Sequence, residues 1–297
     1  MQDPKMMAQT KEGKGFIAAL DQSGGSTPGA LKAYGIGEDA YSNDEDMFGL
    51  IHQMRTRIIT APSFNGDKVV GAILFEKTMD GQADGKPVPQ LLWERGVVPF
   101  LKVDKGLEEE ADGVRMMKPI PGLDALLERA VQKGVFGTKM RSVIDLASPT
   151  GIAAIVKQQF ELADQIAKHG LIPIIEPEVS IKSPERAEAE AILLAELTKA
   201  LDALPEGRQV MLKLTLPVQA NLYAPLVDHQ RVARVVALSG GFAREEACKH
   251  LAENRGVIAS FSRALLEDLR HQMSDDEFDR TLGRAIDEIY RASVAAA

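Results

Sequence analysis

A lysine in the middle of an apolar run is the first residue in this sequence that asks for chemistry. Arg208 to Pro217 reads RQVMLKLTLP, and its Val, Met and Leu side chains fit a short strand covered on both faces. An unpaired ammonium in such a strand is costly, so Lys213 needs a reason to be there. One reading makes it an easily deprotonated amine that attacks a carbonyl carbon and forms a Schiff base. The other makes it a strand-end lysine that reaches solvent or pairs with a structural carboxylate.

Further ionisable residues recur at strand spacing. Side chains two residues apart share one face of a strand. That rule pairs Lys102 with Asp104, Lys139 with Arg141 and Glu176 with Glu178, sets Lys213 with Met211 and Thr215, and leaves Asp21 closing the first apolar run. If helices cover the outer face, these charges converge on the mouth of a barrel, and Lys139 and Arg141 would favour a neutral Lys213. Taken singly, each pair also fits a salt bridge at a barrel rim. Seven charges on four neighbouring strands are better explained by an enzyme site.

Two Gly/Ser clusters suggest anion binding. LSGG, Leu238 to Gly241, leads from the seventh strand-like run into a helix, and the eighth run offers Ser260, Ser262 and Arg263. Phosphate sites recur at that position in barrels. After the first run, DQSGGST places Ser23 and Ser26 beside Asp21, with Lys102 available from the third run. The glycines of LSGG could also simply form a turn, though their position after the seventh run favours an anion site, and DQSGGST is equally compatible with a plain polar turn.

The elements that must carry these residues are eight apolar runs. GFIAALD ends at Asp21, KVVGAILFEK at Lys77, VVPFLKVD at Asp104 and FGTKMRSVI at Ile144; LIPIIEPEV, QVMLKLTL, RVVALSG and GVIASFSR follow. Helical spacing separates most of them. After Ser148, for instance, Ile152, Ile155, Val156, Phe160, Ala163 and Ile166 recur at three- and four-residue steps. Capping-box spacing links Ser42 to Glu45 and Ser274 to Glu277, while Ser148-Pro149 and Ser183-Pro184 place a capping residue before a proline.

Alternating strands and helices predict a parallel sheet, and eight of them in 297 residues predict a single (β/α)8 TIM barrel spanning residues 1–297. A doubly wound sheet is the alternative, but GKG at Gly13 to Gly15 precedes the first strand and no dinucleotide fingerprint follows it. Asp80 to Pro89 reads as a polar excursion within the barrel.

Composition narrows the function classes. A net charge of −8 argues against a general nucleic-acid binder. The single cysteine, Cys248, excludes an intramolecular disulfide framework and sits on an amphipathic pattern that fits a structural thiol. No run is long and apolar enough for a membrane span, and the charged N-terminal segment lacks the apolar centre of a signal peptide, so a cytoplasmic protein is expected. The five histidines fall in helix-like or connecting segments without ligand spacing, so neither a metal nor another cofactor is expected. A small-molecule partner is expected, and self-association stays open.

With these residues in hand, the chain resembles the class I fructose-bisphosphate aldolases, in a short bacterial-type form. The matching stretches, in order from about Gly15 to Leu266, are GFIAALDQSGGS, GAILFEKT, LKVDKG, TKMR, GLIPIIEPE, LKLTLP, LSGG and SFSRAL. The resemblance implies that Lys213 forms the Schiff base with the C2 ketone of fructose 1,6-bisphosphate and that Glu176 is the acid/base for carbinolamine dehydration, with Glu178 as its neighbour. It implies that Asp21 handles the C4 hydroxyl proton with Lys139 near the reacting oxygens. Ser239, Gly240, Ser260 and Arg263 match the C1-phosphate site, and Ser23, Ser26, Lys102 and Arg141 the opposite end. The implied products are dihydroxyacetone phosphate and glyceraldehyde 3-phosphate, within glycolysis and gluconeogenesis.

Three departures stand out. Gln22 replaces a glutamate of longer members, Ser262 replaces a glycine, and YRASVAAA ends the chain without a tail bearing a terminal tyrosine. The rival readings are a Schiff-base aldolase for a singly phosphorylated sugar and a barrel that binds without catalysing.

Overall fold

The computed structural model describes residues 3–295. Eight strands stand side by side in chain order: β1 (Phe16–Leu20), β2 (Val69–Leu74), β3 (Val98–Lys102), β4 (Gly137–Ile144), β5 (Ile172–Val179), β6 (Val210–Thr215), β7 (Val232–Leu238) and β8 (Ile258–Ala259). Each ladder between neighbours is parallel. β8 and β1 share no ladder; the Ala19 N–H donates to Phe261 O at 3.1 Å and nearly closes the ring. This is the expected (β/α)8 barrel.

Two sets of apolar residues follow from strand alternation. One face of the strands packs Leu20, Leu74, Leu101, Ile175 and Leu212 under the surrounding helices. The other fills the barrel interior with Ile17, Ile73, Phe100, Ile174, Met211, Val236 and Ile258. The Phe100 ring needs space there. A Cβ on Gly71 would lie 2.8 Å from Phe100 Cε2, and one on Gly137 would lie 2.9 Å from Phe100 Cδ1 and 2.4 Å from Ile172 O. Glycine on the two flanking strands lets one large ring fill the layer beneath the mouth.

A helix that strand and helix patterning does not announce, Pro4–Glu12, lies against the end of the barrel opposite the mouth. Asp3 accepts hydrogen bonds from Lys5 N and Met6 N at 2.8 and 3.2 Å, and Pro4 opens the first turn. Met6 joins the interior cluster, and Gln9 Nε2 donates to Gly66 O and Gly96 O at 3.2 and 3.3 Å. The Asp-Pro pair is the available signal: a capping carboxylate followed by a residue that lacks a donor.

Several boundaries differ from those expected of the sequence, for local reasons. β2 stops at Leu74 because Glu76–Asp80 is a helical turn, and β3 stops at Lys102 because the chain turns around Asp104. Ser148 and Ser274 cap as expected, accepting from Gly151 N at 3.1 Å and Glu277 N at 3.3 Å. Asn43 replaces Ser42 as the cap of Asp44–Thr60, accepting from Asp46 N at 2.9 Å, while the Ser42 hydroxyl donates to Asp46 Oδ2 at 2.9 Å. After Ser183-Pro184 the helix begins at Arg186, because Ser183 Oγ holds Glu185 N at 3.3 Å in a preceding turn. Asp80 to Pro89 contains a small hairpin, with Asp84 and Gly85 both left-handed at its tip.

Gly137→Ala is therefore expected to overpack the barrel and lower the unfolding free energy by about 1–3 kcal/mol. Urea unfolding checks this; an unchanged midpoint would show that the interior has room the geometry denies.

Candidate active site

The inward faces of β3 to β6 place their charges above the apolar layers. Lys102 and Lys139 are register partners on β3 and β4, and Arg141 is opposite Glu176 on β4 and β5. Asp21, just past β1, completes a buried line of alternating charge. Lys139 Nζ lies 2.6 Å from Asp21 Oδ2 and 3.1 Å from Glu176 Oε2, and Lys213 Nζ lies 3.3 Å from Glu176 Oε1. The four residues are between 3% and 8% exposed, so water screens little of their interaction.

Their environment fixes charge states in two places. Burial alone would raise the pKa of Asp21 and lower that of Lys139. The attraction of Lys139, Lys213 and Lys102 outweighs burial for Asp21 and holds it well below the usual carboxylate range. The carboxylates of Asp21, Glu176 and Asp104 outweigh it for Lys139, which is held well above the usual lysine range. Lys139 is thus a fixed ammonium between two carboxylates.

The positive charges of Lys139 and Arg141, expected to favour a neutral Lys213, are themselves matched by carboxylates. Lys139 is matched by Asp21 and Glu176, and Arg141 pairs through Nε with Glu178. Lys213 has its ion pair among the described residues with Glu176 Oε1, and Glu176 Oε2, on the Lys139 side, has no hydrogen-bond partner among them. Glu176 thus sets one oxygen beside the Lys213 amine and keeps the other as an uncommitted acceptor.

A cavity of about 1340 Å³ opens above this line, and every residue expected from the sequence to act in catalysis or phosphate binding lines it. Its lining groups differ in commitment. Ser239, Ser260 and Arg263 bring side-chain donors that no hydrogen bond among the described residues commits, with Gly240 in the same lining. Ser260 is 1% exposed and its Oγ has no partner among the described residues. Gly240 takes a positive φ of 62°, and the LSGG loop turns so closely past Arg263 that a Cβ on Gly241 would lie 3.4 Å from Arg263 Nη2. Lys102 and Arg141 are instead held internally: Lys102 Nζ lies 2.9 Å from Asp104 Oδ1, and Arg141 is on Glu178. Ser26 Oγ donates to Ser23 O at 2.9 Å and accepts from Ser23 N at 3.0 Å, so the first cluster is also a self-bonded turn.

The family model described as fructose-bisphosphate aldolase class-I matches residues 5–229. The chain belongs to the class I fructose-bisphosphate aldolase family. In this family, as the name states, the reaction is that of an aldolase, a carbon-carbon lyase. Two solved structures share the fold. The fructose-bisphosphate aldolase of Plasmodium falciparum superposes with a TM-score of 0.79 at 21% identity, covering 98% of this chain and 94% of that one. A protein of Corynebacterium glutamicum gives 0.58 at 16% identity, covering 98% and 92%. The sequence motifs after residue 229, LSGG and SFSRAL, lie outside the family match but within the fold shared with the Plasmodium enzyme.

This aldolase-family site also contains residues that the sequence reading gave no site role, Asp104 among them although it shared a strand face with Lys102. Asp104 holds Lys102 and accepts from Arg141 N at 3.2 Å. Arg55 is fully buried behind Gln22, and burial lowers its pKa to about 10 despite the attraction of Asp21. Its signal was present: in the stripe Ile51, Met54, Arg55, Ile58 and Ile59, a guanidinium occupies an apolar face. Tyr34, Phe48 and Phe75 line the outer wall of the cavity. Tyr290, in the final helix, is not among the lining residues and packs against Lys68. Cys248 is also remote from the lining; burial, with a smaller contribution from Glu288, pushes its thiol up to about 12, as suits a structural cysteine. Among the described residues no helix is long and apolar enough to cross a membrane, and no cluster of His, Cys, Asp and Glu has the makings of a metal site.

Lys139→Met leaves Asp21 and Glu176 without their shared cation and is expected to lower stability at pH 7 by about 3–5 kcal/mol. The depressed Asp21 pKa stabilises the fold above the unfolded value near 4 and ceases to do so as pH falls through the folded one. The deficit should accordingly shrink below about pH 4. The raised Lys139 pKa makes its contribution complete below the unfolded lysine value, so the deficit should persist through neutral pH. Denaturant unfolding across pH checks both signs, and a deficit independent of pH would contradict the assignment.

Proposed function

We propose that this protein reversibly cleaves fructose 1,6-bisphosphate into dihydroxyacetone phosphate and glyceraldehyde 3-phosphate through a Schiff base on Lys213. The observation that carries the reading is the buried sequence Asp21, Lys139, Glu176, Lys213, with Lys213 Nζ 3.3 Å from Glu176 Oε1, in a chain of this family. Glu176 is positioned to accept the Lys213 proton. The free amine then adds to the C2 carbonyl, and Glu176 returns a proton to the departing hydroxyl as the carbinolamine loses water.

The protonated imine withdraws the electron pair of the C3–C4 bond, so cleavage leaves an enamine on Lys213. Asp21 takes the C4 hydroxyl proton as the aldehyde forms. Lys139 stabilises negative charge developing on the nearby oxygens, and its fixed ammonium requires no reorganisation during the step. Glu178 holds Arg141 at the distal end. Ser239, Gly240, Ser260 and Arg263 receive the C1 phosphate; Ser23, Ser26, Lys102 and Arg141 receive the other. A cytoplasmic place in glycolysis and gluconeogenesis, without a metal or other cofactor, accompanies this reading.

A second reading has a specific observation in its favour. Lys102 and Arg141 are already paired with Asp104 and Glu178, whereas Arg263 has no carboxylate within ion-pair distance among the described residues. A ketose with one phosphate at the Arg263 end would leave those pairs intact. Turnover of fructose 1-phosphate equal to that of the bisphosphate would favour this second substrate class.

Borohydride added during exposure to fructose 1,6-bisphosphate is expected to attach the reduced triose or hexose to Lys213, as peptide mapping would show. Lys213→Met should abolish both adduct and cleavage, and chelators should leave cleavage unaffected. An adduct on another lysine, or cleavage that survives Lys213→Met, would overturn the mechanism.

A further inference from the structure

The gap between β8 and β1 carries a polar connection of its own. Just beyond the Ala19–Phe261 hydrogen bond, Gln22 Nε2 donates to Ser262 Oγ across the seam. Behind Gln22, Arg55 donates from Nη1 to Thr78 Oγ1 at 2.9 Å and from Nη2 to Gln22 O, with a longer contact of 3.5 Å to Gln22 Oε1.

The donor and acceptor inventory sets the direction of this connection. A guanidinium has only donors, so it holds the Gln22 amide oxygen on its side and leaves the amide nitrogen facing Ser262. Ser262 Oγ must then accept, and its single proton is directed elsewhere. The contact from Gln22 is the one side-chain hydrogen bond of Ser262 among the described residues, so that proton is uncommitted. Gln22 and Ser262 both line the cavity, as do Ser260 and Arg263 beside Ser262 in sequence.

We infer that Arg55, Gln22 and Ser262 form a directed hydrogen-bond relay that aims the Ser262 hydroxyl proton at a substrate phosphate held with Ser260 and Arg263. Ser262 is a phosphate ligand in this account, and Gln22 is a positioning residue that acts through it. The inference rests on the functional reading only in taking the anion at this end to be a sugar phosphate.

The test is calorimetric titration of the full-length protein and its variants with inorganic phosphate. Ser262→Ala should weaken binding at least about tenfold, the loss of one hydrogen bond to a charged group. Gln22→Glu should weaken it to a similar extent, because a carboxylate draws the Ser262 proton back to itself while Arg55 balances the new charge. In the Ser262→Ala background the same change should add less than about twofold, since no hydroxyl remains to be turned. In turnover, Gln22→Glu should raise KM and leave kcat within about twofold, the pattern of lost uniform binding.

If Gln22→Glu does not fold, Gln22→Met removes the donor without adding charge, and its smaller loss should likewise vanish in the Ser262→Ala background. Unchanged phosphate affinity in Ser262→Ala, or equal losses from the Gln22 change in both backgrounds, would overturn the relay. A Lys213 adduct together with unchanged phosphate affinity would refute the relay and spare the functional reading. Weakened phosphate binding without any Lys213 adduct would do the reverse.

Discussion

The Lys139 ammonium between Asp21 and Glu176 is the interaction on which the rest of the site depends. Four charged groups occupy a place almost without water, and such a cluster is tolerable only when each charge faces an opposite one at short range. Lys139 meets that requirement for the carboxylates on either side of it, at 2.6 and 3.1 Å. Because both carboxylates are satisfied in part by a fixed cation, Glu176 can keep one oxygen beside Lys213 and another without a hydrogen-bond donor. Electrostatic balance and chemical availability come from the same arrangement.

The barrel supplies the geometry this balance needs. Parallel strands with alternating faces send one set of residues toward the helices and one toward the axis, so the inward charges of β3 to β6 meet without long loops to position them. Beneath them Phe100, accommodated by Gly71 and Gly137, seals the interior. The seam is the exception, since β1 and β8 have no ladder. There the Ala19–Phe261 backbone bond and the Arg55, Gln22, Ser262 series hold the two sides together, and the side of the cavity bearing the uncommitted donors adjoins that seam.

Much of this was legible in the sequence because period-two alternation on a strand is a strict rule. It put Lys139 and Arg141 on one face, and likewise Glu176 and Glu178, and the structure brings both pairs to the cavity with Lys213. What escaped was pairing. Nothing in strand spacing says that Lys139 is matched by Asp21, from a strand distant in sequence, whereas the Lys102–Asp104 pair, two residues apart on one face, is one that spacing allowed. Arg55 escaped because helical periodicity marks a buried face without naming what a charge on it will meet. The Pro4–Glu12 helix escaped because its apolar content is slight, and only its Asp3 cap and Pro4 announced it.

The central claim is that Lys213, rather than one of its lysine neighbours, holds the substrate while Glu176 serves it. The most direct measurement is a crystal structure of the protein reduced with borohydride in the presence of fructose 1,6-bisphosphate. The account predicts continuous density from Lys213 Nζ to the substrate C2, Glu176 within hydrogen-bond distance of that nitrogen, and Lys139 still between Asp21 and Glu176. Density joined to Lys102 or Lys139, or an unmodified Lys213 beside a bound sugar phosphate, would contradict it.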